Sequence, residues 1–149
     1  MTTPTTAPRT SPDRAWAATA ALIGIHQVEE VVFSLGVWRD EVGDTGWAPL
    51  DRVLRHSPIA SYSVGPRVAT LAGQALVGTM LYAATRRSPG LTRAATSALS
   101  LGWGAAFVMH LTVATRTRSA MPGLATSILP GLPGVAVTLR YIWAGHRAG

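Results

Sequence analysis

The sequence predicts an all-α fold, a four-helix transmembrane bundle with a disordered N-terminal tail, and three observations carry that expectation. The 149 residues are 48% apolar and only 13% charged, against roughly 25% charged in a soluble globular domain. Apolar segments lie between Arg14 and Arg39, Arg67 and Arg86, Arg93 and Arg116, and Arg118 and Arg140, each near the roughly 20 residues that cross hydrocarbon as a helix. The last three contain no Asp, Glu, Lys or Arg between their arginines, so they lack the charged outer face of a helix at a soluble surface.

Taken in order, "MTTPTTAPRTSPD" is rich in Thr and Pro, the composition of a disordered tail over 1–14. A single membrane domain is expected over 15–147, with spans near 15–38, 68–85, 95–115 and 120–143. The first span follows Arg9 and Arg14 as a signal peptide would. Two glutamates inside its apolar run suit a cleaved h-region poorly, and the segment is expected to stay in the mature protein. The long connection, 39–67, holds Asp40, Glu41, Asp44 and Asp51, four of the seven acidic residues. Within it "LDRVLRH" reads as a short interfacial helix placing Leu50, Val53 and Leu54 on the membrane, in a segment placed to act as a lid. In the fourth span, "ILPGLPG" sets Pro130 and Pro133 where each removes a helical hydrogen bond. Broken backbone at membrane depth is tolerated where it lines a protein cavity, so a pocket wall is expected there.

The net charge of +6 comes from thirteen arginines without a lysine. They punctuate the apolar segments instead of forming one basic face, which argues against nucleic acid as a partner. With no cysteine in the chain, disulfides, thiolate metal sites and cysteine nucleophiles are excluded. "GPRVATLAG" has glycines but lacks the strand-turn-helix setting and the lysine of a phosphate loop. Arginine near the span ends favours both termini inside.

The candidate site follows from the cost of ionisable groups in a bilayer. A charge at mid-membrane costs on the order of 2.5–3.5 kcal/mol and faces a protein interior or a water-filled cavity. Residues three and four apart share a helix face, so His26, Glu29 and Glu30 in "ALIGIHQVEEVVFSLGVW" are expected to point together. His110 in the third span and Gln74 in the second fall at matching depth, so that five polar side chains converge on one layer. Gln74, Trp103, Pro130 and Gly131 are the candidate substrate-contacting residues; His26, Glu29, Glu30 and His110 are the candidate catalytic ones.

"HQVEE" at His26 to Glu30 resembles the defining motif of the HXXEE-motif family, small bacterial membrane proteins of uncharacterised function. The resemblance extends to "FVMHLTVATRTRSAMPGLATSILP", a later histidine-bearing helix followed by a Pro-Gly turn, here His110 and then Pro122 and Gly123. Family members often carry an asparagine about a turn before that histidine, where this chain offers Ala106 and Phe107. The resemblance implies a protein of the bacterial cytoplasmic membrane with an intramembrane site, and no particular reaction.

Three function classes remain. In the first, an enzyme acts by acid/base chemistry on a lipophilic isoprenoid or polyketide-like substrate (cyclisation, isomerisation or epoxide opening) and needs no cofactor. Glu29 and Glu30, close together in a low dielectric, share a proton and give one acid and one base, with His26 as shuttle and His110 as stabiliser. In the second, His26, Glu29, Glu30 and His110 hold one zinc or iron ion, since His and Glu three apart on a helix match carboxylate sites in helical bundles. The third is a non-catalytic transporter or partner subunit. Four spans are few for a transporter unless it forms a homo-oligomer, and no inverted repeat is visible.

Overall fold

The computed structural model describes residues 11–144, and among them every regular element is helical. Of the expected tail, residues 1–10 lie outside the described segment, whereas 12–14 belong to the first helix.

Helix α1, Pro12–Val32, starts where Ser11 Oγ accepts the Arg14 N–H at 3.3 Å and Pro12 supplies a preset φ in the first turn. Its inward stripe is polar, with Thr19, His26, Gln27 and Glu30 buried beside Ala15, Trp16 and Leu22. Ile25, Val28 and Val32 point outward and are exposed. Polar groups inside and apolar groups outside invert the pattern of a helix at a water-facing surface.

The first span was expected to run unbroken to Trp38, but α1 ends at Val32 and Phe33 is extended. Ser34 restarts the chain as α2, Leu35–Val42, by accepting the Val37 N–H at 3.3 Å, and the two axes differ by 61°. Arg67 donates to the freed Val31 carbonyl at 2.6 Å and so satisfies an acceptor that the helix leaves open.

The long connection carries α3, Ala48–His56, and a short 3₁₀ turn, Pro58–Ala60. With α2 they enclose a small core of Leu35, Trp38, Leu54 and Ala60 against Val113 and Met121. Leu54 is thus turned into protein, while Val53 is exposed. Gly36 is required in this cap, because a side chain there would collide with the Ala60 carbonyl. Asp51 Oδ1 accepts from Thr45 N at 2.9 Å and Thr45 Oγ1 at 2.7 Å. Burial pushes the Asp51 carboxyl up, but these bonds outweigh it and hold the group below the usual carboxylate range. Trp38 Nε1 donates to Ser119 Oγ at 3.0 Å and an Arg116 N–H donates to the Gly46 carbonyl at 3.1 Å, fastening the cap to residues 116–119.

Helices α4, Val64–Thr85, and α5, Pro89–Thr117, are long and apolar enough to cross a membrane, and α1 with α2 pass the same test as a bent pair. Among the described residues, two or three candidate spans therefore stand where four were expected. The central α5 packs against α1, α4 and the last helix. After it, Arg118 takes a left-handed conformation and Gly123 has φ +88°. The fourth expected span is broken, with α6, Leu124–Thr126, a π turn over Ser127–Gly131 and α7, Leu132–Trp143. Leu129 is extended at φ −146°, ψ 119°, and the Leu129–Pro130 peptide is cis. Gly134 brings α7 onto Leu22, where a Cβ would stand 2.7 Å from Leu22 Cδ1.

Candidate functional site

His26 and Glu30 are one turn apart on α1, and His110 projects from α5 into the same layer. Their relative exposures are 0%, 8% and 2%. Glu30 Oε1 stands 3.4 Å from His110 Nε2 and 3.6 Å from His26 Nε2. One donor atom from each residue lies within 4.8 Å of the other two. The imidazoles meet edge to face with centroids 4.7 Å apart, and Phe107 and Trp103 pack on His26 with centroids at 5.0 and 5.5 Å. Phe107 is fully buried.

Glu29 turns elsewhere. Its carboxylate accepts from Thr126 N at 2.8 Å, Thr126 Oγ1 at 2.5 Å and Ala125 N at 3.4 Å, all from α6. The two glutamates are therefore neighbours in sequence whose carboxylates have separate partners.

This arrangement fixes the tautomer of His26 by hydrogen-bond accounting. Thr126 has one hydroxyl proton, and the short bond to Glu29 takes it. The same oxygen is 2.9 Å from His26 Nδ1, so toward the ring it can only accept, and Nδ1 carries the hydrogen. In the neutral ring, Nε2 then presents a lone pair toward Glu30. That atom is buried without a hydrogen-bond partner, as is Nδ1 of His110. A lone pair facing a carboxylate repels it, so the centre calls for a cation or a proton between them.

The two separations can be compared with the spacing each would impose. A charge-assisted N–H···O bond is about 2.7–2.9 Å long, shorter than either contact. Donor atoms about 2.0–2.1 Å from a tetrahedral metal lie roughly 3.3 Å from each other, close to both. Two histidines and one carboxylate form a donor set suited to zinc or ferrous iron.

The Pro122–Gly123 turn closes the layer. A Cβ on Gly123 would stand 2.6 Å from Cε1 of both His26 and His110 and 2.9 Å from His110 Nδ1. Position 123 therefore needs glycine twice, for its positive φ and for the space the two rings occupy. Gly131 lets the broken segment approach Phe107, since a Cβ there would be 3.0 Å from the ring and 2.6 Å from the Thr126 carbonyl. Pro130 is half-buried in that segment.

Gln74 does not join the polar layer. It is exposed and lines a cleft between α1 and α4. Gln27, which the motif leaves as an unspecified letter, takes the expected place. It is 2% exposed, and its Nε2 donates to Glu30 Oε2 at 3.2 Å. Sequence reasoning passed over Gln27 and Thr126, taking Gln74 as the amide of the layer. Their signal lay in position: Gln27 sits one residue from His26, and Thr126 follows the Pro-Gly turn.

No curated protein and no solved structure is significantly similar to the chain. A family model, described as a protein of unknown function with HXXEE motif, matches residues 16–138. That span contains His26, Glu29, Glu30, His110 and Gly123, and the chain belongs to this HXXEE-motif family.

Proposed function

We propose that this chain is an integral membrane enzyme in which His26, Glu30 and His110 hold a single zinc or ferrous ion and act on a lipophilic substrate. Four passes are proposed, formed by α1 with α2, α4, α5 and the broken α6–α7 segment, with both termini inside the cytoplasmic membrane of a bacterium. The outward apolar and inward polar faces of α1 support that topology, as do exposed Leu76, Val77 and Met80 on α4 and Leu101 and Val108 on α5.

The observation that carries the metal reading is the pair of 3.4 and 3.6 Å contacts from one Glu30 oxygen to two imidazole nitrogens, with the His26 Nε2 lone pair turned toward it. A metal ion held by these two imidazoles and one carboxylate would supply a Lewis acid or an activated water. The chain's own residues prepare the place. Glu29, through the Thr126 hydroxyl, fixes the ring of His26, as outer partners of ligating histidines do. Gln27 orients Glu30, Phe107 and Trp103 exclude water from the ring faces, and Gly123 leaves room for both imidazoles.

A second reading, metal-free acid/base catalysis, is favoured by one observation. The chain of bonds from partly exposed Glu29 through Thr126 to fully buried His26 has the form of a proton relay. The sharing of a proton between Glu29 and Glu30 has less support, because the two carboxylates have separate partners.

Metal content of detergent-purified protein decides between them. The metal reading expects one equivalent of zinc or iron, lost in a helical, monodisperse His110→Ala variant and retained in Gln74→Ala. Absence of stoichiometric metal after expression with zinc and iron supplied would overturn it in favour of the relay.

A further inference from the structure

A cleft of about 930 Å³ lies between α1 and α4, with Leu99 and Trp103 of α5 at its floor, within the range of pockets that hold small organic ligands. Its walls are predominantly apolar. Gly24, Gly73 and Gly78 line it, and nothing lies within 4 Å of the position a Cβ would take at any of them. These three positions put no side chain into the cleft.

Its inner wall includes Gln27 and Trp103, the residues that touch Glu30 and His26 on the other side. A carboxylate accepts and does not donate, so the Gln27 carboxamide must turn Nε2 to Glu30. Oε1 is left as an acceptor, and it is buried without a partner. An unpaired buried acceptor in the wall of an apolar cleft is matched by a ligand with a neutral hydrogen-bond donor on an apolar tail. A carboxylate-headed ligand would offer no donor and would meet the charge of Glu30.

We propose that the α1/α4 cleft binds a long-chain alcohol, with its tail along the glycine-lined wall and its hydroxyl donating to Gln27 Oε1, one carboxamide away from Glu30. This names the substrate class for the centre described above, and it rests on the reading of that centre as the functional one.

Trp16 and Trp103 both line the cleft, so quenching of tryptophan fluorescence by a brominated ligand reports occupancy. The test compares 11-bromoundecan-1-ol with its methyl ether, which keeps the acceptor oxygen and lacks the donor, on full-length protein in phosphatidylcholine nanodiscs. Saturable quenching should favour the alcohol by about tenfold, the size expected when one partner of a buried hydrogen bond is missing. In Gln27→Met the preference should fall below about twofold while ether binding is unchanged. Gly78→Leu, which fills open space, should abolish saturable quenching by both.

Equal binding of alcohol and ether by the wild type would overturn the proposal, and so would a preference that survives Gln27→Met. A wild-type dimer that Gly78→Leu dissociates would also overturn it, by assigning the cleft to a second copy of the chain. The wild-type comparison needs no variant to fold. Neither metal nor turnover enters the readout, so a metal-free protein that keeps the preference contradicts the metal reading alone. Stoichiometric metal without the preference contradicts the alcohol subsite alone.

Discussion

The turn that Glu29 caps and the imidazole pair that Glu30 joins flank a single peptide bond, yet they are built on opposite electrostatic terms. Glu29 meets two backbone N–H groups and a hydroxyl, all donors, and needs nothing further. Glu30 receives one carboxamide N–H, and its other oxygen faces the Nε2 atoms of two imidazoles at distances too long for charge-assisted hydrogen bonds. The difference teaches that the doubled glutamate of the motif is two devices. One anchors the broken final segment and, through Thr126, the orientation of His26; the other is, in the function proposed above, a metal ligand.

The largest effect that would break this comparison is expected at Glu30. Structural zinc sites with four ligands bind with about 10–16 kcal/mol, so each ligand accounts for roughly 2.5–4 kcal/mol. Glu30→Gln should therefore weaken metal binding by about 100- to 1000-fold with the helices intact, as read by chelator competition and circular dichroism. Retention of wild-type affinity would remove Glu30 from the centre.

Gly123→Ala comes next and strikes both devices, since Gly123 precedes the α6 turn and touches both rings. A left-handed non-glycine residue costs about 1–2 kcal/mol and a packed clash about 1–3 kcal/mol more. Stability in denaturant titration should fall by about 2–5 kcal/mol, with metal affinity down by about tenfold or more. An unperturbed variant would mean that the turn is not seated on the rings.

Glu29→Gln and Thr126→Val sharpen the comparison. Loss of an outer partner of a ligating histidine costs about 10- to 100-fold in metal affinity. With Thr126 intervening, Glu29→Gln should sit near tenfold, and Thr126→Val should match it because both cut one relay. Combining the two should add little, and an additive double variant would contradict a shared path.

The smallest effect belongs to the cap. Folding holds the Asp51 carboxyl below its usual range, so its contribution is present above about pH 4, the unfolded value, and is lost as pH falls through the lower folded value. Limited proteolysis of the α2–α3 region should accelerate in that acid range, and Asp51→Asn should flatten the dependence. Metal affinity should stay unchanged in that variant at neutral pH, which separates the cap from the centre.

Much of the centre was legible because the bilayer makes ionisable groups conspicuous: His26, Glu30 and His110 stood out from apolar surroundings and do meet. The divergence of Glu29 was not legible, since helix periodicity sets its direction only to within a broad arc. Its partner comes from α6, 97 residues away. Gln74 was expected in the layer by depth, but depth along a helix does not fix which face a side chain takes. The break in the last span was readable from Pro130 and Pro133, whose missing N–H groups act locally. The bend after Val32 was hidden, because Phe33 and Ser34 interrupt no apolar run and the donor to the freed Val31 carbonyl, Arg67, arrives from the distant α4.

The most direct test of the central claim is the metal dissociation constant of purified wild type, Glu29→Gln and Glu30→Gln, measured side by side by chelator competition. The account predicts tight binding in the wild type, a loss of about tenfold in Glu29→Gln and a loss at least about tenfold greater in Glu30→Gln. Equal losses in the two variants, a larger loss in Glu29→Gln, or no specific binding by the wild type would contradict it.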